Sequence, residues 1–267
     1  MTELELFWLA FPEQYIKDHL IPATNTKITH KITLSKFYVW LGCNFFMACF
    51  KGIANQEDWW SKLDIDMRYS APFGLNEYMK KTQFLQITAA ITYTDKIPPP
   101  FHDKFHEVRQ MISAFNEHYK SLYNPGWLNC LDKSMNSWLN KFCPGFMFVP
   151  RKPHPSGNEY HSICDGDQGK PIMWRVKLQE GKDWPKDESG HAWGYPSKYE
   201  GYSKTTALML DMTEPIHNMG KVVTMDSGFC VTAGILALHD HGVYGQALIK
   251  KRGRYWPKHT PGDTIDG

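Results

Sequence analysis

Asp132 and Asp226 each close a short apolar run, Leu128-Asn129-Cys130-Leu131-Asp132 and Val222-Val223-Thr224-Met225-Asp226. A carboxylate at the end of a buried strand is costly to desolvate unless a cation or hydrogen-bond donors compensate it. If a strand-helix-strand pattern brings two such strands side by side, the carboxylates can share a hard cation. Mg²⁺ takes oxygen ligands, typically one or two carboxylates with phosphate and water. Bound between two carboxylates, such ions activate a nucleophile and stabilise a leaving oxygen in phosphoryl transfer. Plainer uses stay open: Asp132 can close a turn through Lys133-Ser134, and Asp226 can cap a helix beginning near Phe229.

Positive charge is the second chemical signal. The chain of 267 residues is close to neutral, with Lys+Arg 30 against Asp+Glu 28. That excludes a binder working by bulk charge and leaves room for a local basic groove. Lys250, Lys251, Arg252, Arg254 and Lys258 form such a stretch, uninterrupted by acids, with Tyr255 and Trp256 among them. Lys and Arg neutralise phosphates in a salt-dependent, sequence-independent way, and aromatic rings stack on bases. A solvated loop with inward-folded rings is the alternative. Arg151 and Lys152, in the Pro150-Arg151-Lys152-Pro153 turn, are a second candidate contact.

Other chemistries find little support. The close pairs His239-x-His241 and His161-x-x-Cys164 have no partner pair that would complete a zinc site, so they read as structural or surface residues. His102 and His106 lie one helical turn apart without an acidic partner. Trp59 and Trp60 read as core anchors. No glycine-rich phosphate loop and no G-x-S-x-G elbow occurs. The six cysteines are scattered. With no basic n-region at the N-terminus, a disulfide framework is not expected. No apolar run approaches the ~20 residues of a membrane span, so the expectation is a soluble, intracellular protein without a membrane partner.

The elements that must position these residues change character along the chain. Residues 4–20 predict two short helices broken at Pro12, and residues 21–35 a polar loop. Ser35 is placed to cap an apolar, buried helix over residues 37–52, and further helical patterns begin at Asn76 and cover residues 101–123. Beyond Asn124-Pro125-Gly126 the pattern becomes strands over residues 127–132, 146–149, 160–164 and 172–178. A polar loop over 181–203 precedes a helix over 205–213, a strand over 221–226, a helix over 228–239 and a strand over 245–249. The expected fold is α+β: a helical N-terminal region, residues 1–124, followed by an α/β region, residues 125–267. Aromatic residues at 14% imply extensive ring packing.

In this order the features resemble the DDE transposase domain of the piggyBac family. The residues that carry the resemblance are Tyr123-Asn124-Pro125-Gly126 leading to Leu131-Asp132-Lys133-Ser134-Met135; Phe148-Val149-Pro150-Arg151-Lys152-Pro153 and Gly157; Cys164-Asp165; Val222 to Phe229; and the basic stretch 250–258. Gly52-Ile53 with Asp58-Trp59-Trp60, and Asp103-Lys104-Phe105 with Val108-Arg109, extend it upstream, so that it covers roughly residues 35–267. The resemblance implies a partial RNase H-like core in which Asp132 and Asp226 match the first two catalytic carboxylates. It also implies Mg²⁺ or Mn²⁺ held by them, DNA transposition by strand nicking and transfer, double-stranded DNA at transposon ends as partner, a homodimer, and a nuclear location.

Two departures qualify those expectations. Lys133 stands where an acidic residue often follows the first Asp. The third catalytic Asp is expected well beyond the second, and Asp263 and Asp266 are too near Asp226 to match it. The expected activity is therefore absent or incomplete. The alternative is a non-catalytic, domesticated module that binds DNA or another protein.

Overall fold

A computed structural model describes residues 2–49, 56–60, 74–138, 140–150, 152–166, 172–180 and 197–248. The chain divides into two compact units, one holding residues 1–97 and 107–111, the other residues 98–106 and 112–267.

The first unit is helical. Helix α1 (Glu3–Ala10) opens on a capping box, in which the Thr2 hydroxyl and the Glu5 carboxylate each satisfy the other residue's backbone N–H. Pro12 breaks the chain as expected. Helix α2 (Glu13–Tyr15) then runs through a π-turn (Ile16–Leu20) into α3 (Ile21–Lys27). The expected loop over residues 21–35 is thus helical in its first part. Pro22 lies in the first turn of α3, where it removes no needed hydrogen bond, and Ala23 and Thr24 are buried.

Helix α4 (Leu34–Cys49) starts at Thr33 rather than Ser35, because the Thr33 hydroxyl accepts from Lys36 N at 3.3 Å. Only Phe37, Trp40 and Cys43 of α4 are buried, whereas Phe45 is 49% exposed, so the helix is one-sided and not enclosed. Helix α5 (Lys81–Ala90) contributes Phe84 and Ile87 to the same core. Trp40 Nε1 donates to Thr88 Oγ1 at 3.0 Å and Trp60 Nε1 to the Met79 carbonyl at 2.8 Å. Trp59 and Trp60 are buried, as core anchors should be.

Helix α6 (His106–Leu122) starts later than its apolar pattern. In the second unit, Asn116 on α6 bonds both ways to the backbone of Val176, satisfying one residue of an edge strand.

The second unit is built on a mixed sheet. Its strands are β1 (Leu128–Ser137), β2 (Met147–Phe148), β3 (Ser156–Asp165), β4 (Ile172–Leu178), β5 (Lys221–Met225) and β6 (Val243–Ala247). The order is β2-β3-β1-β5-β6, with β4 also paired to β3. Pairing is antiparallel among β1, β3 and β4, and parallel along β1, β5 and β6. Strand β1 continues past its apolar run to Ser137, because β3 supplies a partner for every residue from Asn129 onward. Gly157 ends that pairing; a side chain there would run into the Asn136 carbonyl.

Helices α7 (Lys204–Thr213) and α8 (Thr232–Asp240) cover one face of the sheet. Leu131, Ile163, Val223, Met225 and Val243 meet Met209, Leu210, Met212, Ala237 and Leu238 there. On the opposite face Cys130 and Asp132 are exposed. No helix among the described residues is long and apolar enough to cross a membrane.

Candidate active site

Strand alternation sends Leu131 into the core and its neighbours Cys130 and Asp132 to the open face. Parallel pairing of β1 with β5 runs from Leu128↔Val222 to Leu131↔Met225. One further step sets Asp132 beside Asp226, the residue that follows β5. Both are exposed. The desolvation expected of buried strand ends is therefore not what holds them.

Each carboxylate is held by one oxygen. Asp132 Oδ1 accepts from Lys133 N at 2.7 Å, and Asp226 Oδ1 accepts from Gly228 N at 2.8 Å. The Asp226 carbonyl takes the Phe229 N–H at 3.1 Å, closing a tight turn. A Cβ at Gly228 would lie 2.9 Å from Asp226 Oδ1 and 3.2 Å from Lys133 Nζ, so a larger residue there would displace both side chains.

Neither plainer reading holds. Asp132 lies within a ten-residue strand and not in a turn, and α8 starts at Thr232 behind Val231, which makes no side-chain cap. The charge of Asp132 is felt on the open face. Burial first, and Asp132 among the further causes, push the thiols of Cys130 and Cys164 above their ordinary range.

The register that pairs the two aspartates is set at the opposite end of β1. Tyr123-Asn124-Pro125-Gly126 turns into β1, and buried Asp165 accepts from Tyr123 Oη at 2.7 Å and Gly126 N at 2.6 Å. Lys221, the first residue of β5, donates to Asn124 Oδ1 at 2.6 Å and to the Pro125 carbonyl. One turn thereby ties the starts of both strands together. Asp165 is a site-supporting residue whose only sequence signal was its place in Cys164-Asp165.

Among the basic candidates, Lys152 donates from Nζ to the carbonyl of Lys133 at 3.1 Å, which anchors its turn to the strand bearing Asp132. Arg151, Lys250, Lys251, Arg252, Arg254 and Lys258 lie outside the described residues. No group of three or more His, Cys, Asp or Glu residues that could hold a metal ion occurs among the described residues.

An antiparallel β1-β3-β4 meander joined to parallel β5 and β6, with Asp132 in β1 and Asp226 directly after β5, is an RNase H-like core. The family model described as Transposase IS4 matches residues 2–264, and the chain belongs to that family. Its structure is also similar to the cryo-EM structure of a piggyBac transposase synaptic complex with hairpin DNA, with a TM-score of 0.74 and 17% sequence identity. The match covers 97% of this chain and 54% of that one, so the chain spans about half the length of the protein it resembles. No curated protein matches the chain.

Proposed function

We propose that this chain carries the first two catalytic carboxylates of a DNA transposase that nicks and transfers strands by metal-assisted phosphoryl transfer. The observation that supports the reading is the parallel register Leu131↔Met225, after which Asp132 and Asp226 are the next residue on each side. The donor set suits Mg²⁺ or Mn²⁺: two exposed carboxylates, each with Oδ1 engaged by a backbone N–H and Oδ2 directed to no partner among the described residues. Asp132 and Asp226 would hold such an ion, and when bound it neutralises phosphate charge and favours the attacking oxygen.

The chain's own contribution is positioning. Asp165, Tyr123 and Lys221 fix the strand register, and the Gly228 turn fixes the Asp226 carboxylate. In the reaction, one phosphodiester P–O bond breaks as water, and later a freed 3′-hydroxyl, forms another.

Double-stranded DNA at transposon ends is the proposed substrate. Lys250, Lys251, Arg252, Arg254 and Lys258, with Arg151 and Lys152, are the proposed backbone contacts. A homodimer acting in the nucleus completes the reading. The second reading is a non-catalytic module that binds DNA or another protein; Lys133, a cation directly after Asp132, favours it.

Nicking of a hairpin or nicked duplex with Mn²⁺ separates the two. The catalytic reading predicts nicking that falls to background in both Asp132→Asn and Asp226→Asn. Nicking that survives both substitutions would overturn the assignment. Tight duplex binding without any nicking would favour the second reading.

A further inference from the structure

Behind the Asp226 turn, on the sheet face opposite Asp132, lies a cavity of about 200 Å³ whose lining includes Lys133, His161, Lys177, Lys204, Gly228 and Phe229. Its floor is a row across three antiparallel strands: Lys133 pairs with His161, and His161 with Lys177. Cross-strand partners share a face, so two ammonium groups flank one imidazole. The two lysines stand two strands apart on one face with the ring between them, and cations gathered about one cavity favour an anion there.

The anions in place answer only part of this row. Lys177 Nζ is bound to Asp211 at 2.6 Å. Lys133 Nζ stands 5.3 Å from the centre of the Phe229 ring, and no carboxylate ion pair among the described residues includes it. Asp226 shares the space over Gly228 with Lys133, so its carboxylate answers part of that charge from the rim of the cavity.

His161 is 2% exposed, and its Nδ1 is a buried side-chain nitrogen with no hydrogen-bond partner among the described residues. Burial foremost, with Lys133 and Lys177 adding to it and Asp226 opposing, lowers its pKa to about 4. The ring is therefore neutral at physiological pH, and in the Nδ1–H tautomer its unpartnered Nδ1 can donate to an anionic oxygen.

We infer that this cavity is a phosphate subsite, taking a backbone phosphate of the DNA strand that passes the paired aspartates. A cavity of this size is below the ~300–1,000 Å³ of ordinary small-molecule pockets, which fits one tetrahedral group and not a whole nucleotide. Lysines and a neutral imidazole are donors suited to phosphate oxygens. Lys133 is then no anomaly beside the first carboxylate: its side chain faces the other side of the sheet and serves a neighbouring phosphate. The DNA source rests on the function proposed above; the phosphate chemistry does not.

Titration of the full chain, labelled in its histidines, with inorganic phosphate and separately with nicked duplex DNA tests the inference. His161 ring resonances are assigned by their loss in His161→Gln. Saturable shifts with both ligands are expected, and Lys133→Gln should weaken phosphate binding about tenfold. Shifts with inorganic phosphate and none with bound DNA would overturn the strand assignment and leave a free-anion site. A His161 ring silent to both would overturn the subsite altogether; manganese-dependent nicking by that same protein would then leave the proposed function standing.

Discussion

Asp132 and Asp226 are exposed, and a backbone N–H fixes Oδ1 of each. Carboxylates held this way contribute little to folding, so Asp132→Asn and Asp226→Asn should shift unfolding free energy by no more than about 0.5 kcal/mol. Equilibrium urea unfolding checks this; a larger loss would mean that the carboxylates are structural. Histidine titration gives the opposite behaviour. Burial chiefly, with His241 nearby, lowers the pKa of His217 to about 4, as burial does for His161. Above the unfolded pKa, ~6.5, both rings are neutral in either state and stability is full. As pH falls from there toward 4, the unfolded chain takes up protons that the fold refuses, and stability drops. The urea midpoint should therefore fall between pH 7 and pH 5, and fall less in His217→Gln. An unchanged wild-type midpoint would contradict the burial of these rings.

At the scale of elements, the site depends on the register between β1 and β5, and the register depends on the turn before β1. Asp165 is 3% exposed and satisfies both Tyr123 and Gly126. Asp165→Ala leaves those donors without their acceptor and should cost about 1–3 kcal/mol. Its nicking activity should fall even at temperatures where the chain stays folded, because Asp132 and Asp226 lose their alignment. Full activity in a folded Asp165→Ala chain would show that the turn does not set the register. These elements were unequally legible. Each strand over residues 172–178 and 221–226, and helix α7, was marked by an apolar run bounded by turn residues. Helix α3 was hidden by Pro22 and its Thr-rich sequence, whose fit depends on burial of Ala23 and Thr24 that local pattern does not carry. Strand β1 beyond Asp132 is polar, and only pairing with β3 makes it a strand.

At the scale of the molecule, the two aspartates stood out because each ended an apolar run; their strands were expected to meet through a strand-helix-strand pattern, whereas β1 and β5 pair directly in parallel with β2, β3, β4 and α7 between them in sequence. The cavity did not stand out. Lys133, His161 and Lys177 are distant in sequence and become a row only through two antiparallel registers. His161 was read as structural because its sequence neighbours offer no metal partner, while its cross-strand neighbours are lysines. Residues 2–264 match a transposase family model, and the sheet is RNase H-like. The central claim is that Asp132 and Asp226 together hold one divalent cation. Mn²⁺ binding to the full chain, followed by paramagnetic broadening of the amides around Cys130, Asp132 and Gly228, tests it most directly. Selective broadening is expected at these positions in the wild-type chain and is lost in each of Asp132→Asn and Asp226→Asn. Broadening that persists undiminished in either variant, or that never appears there in the wild type, would contradict it.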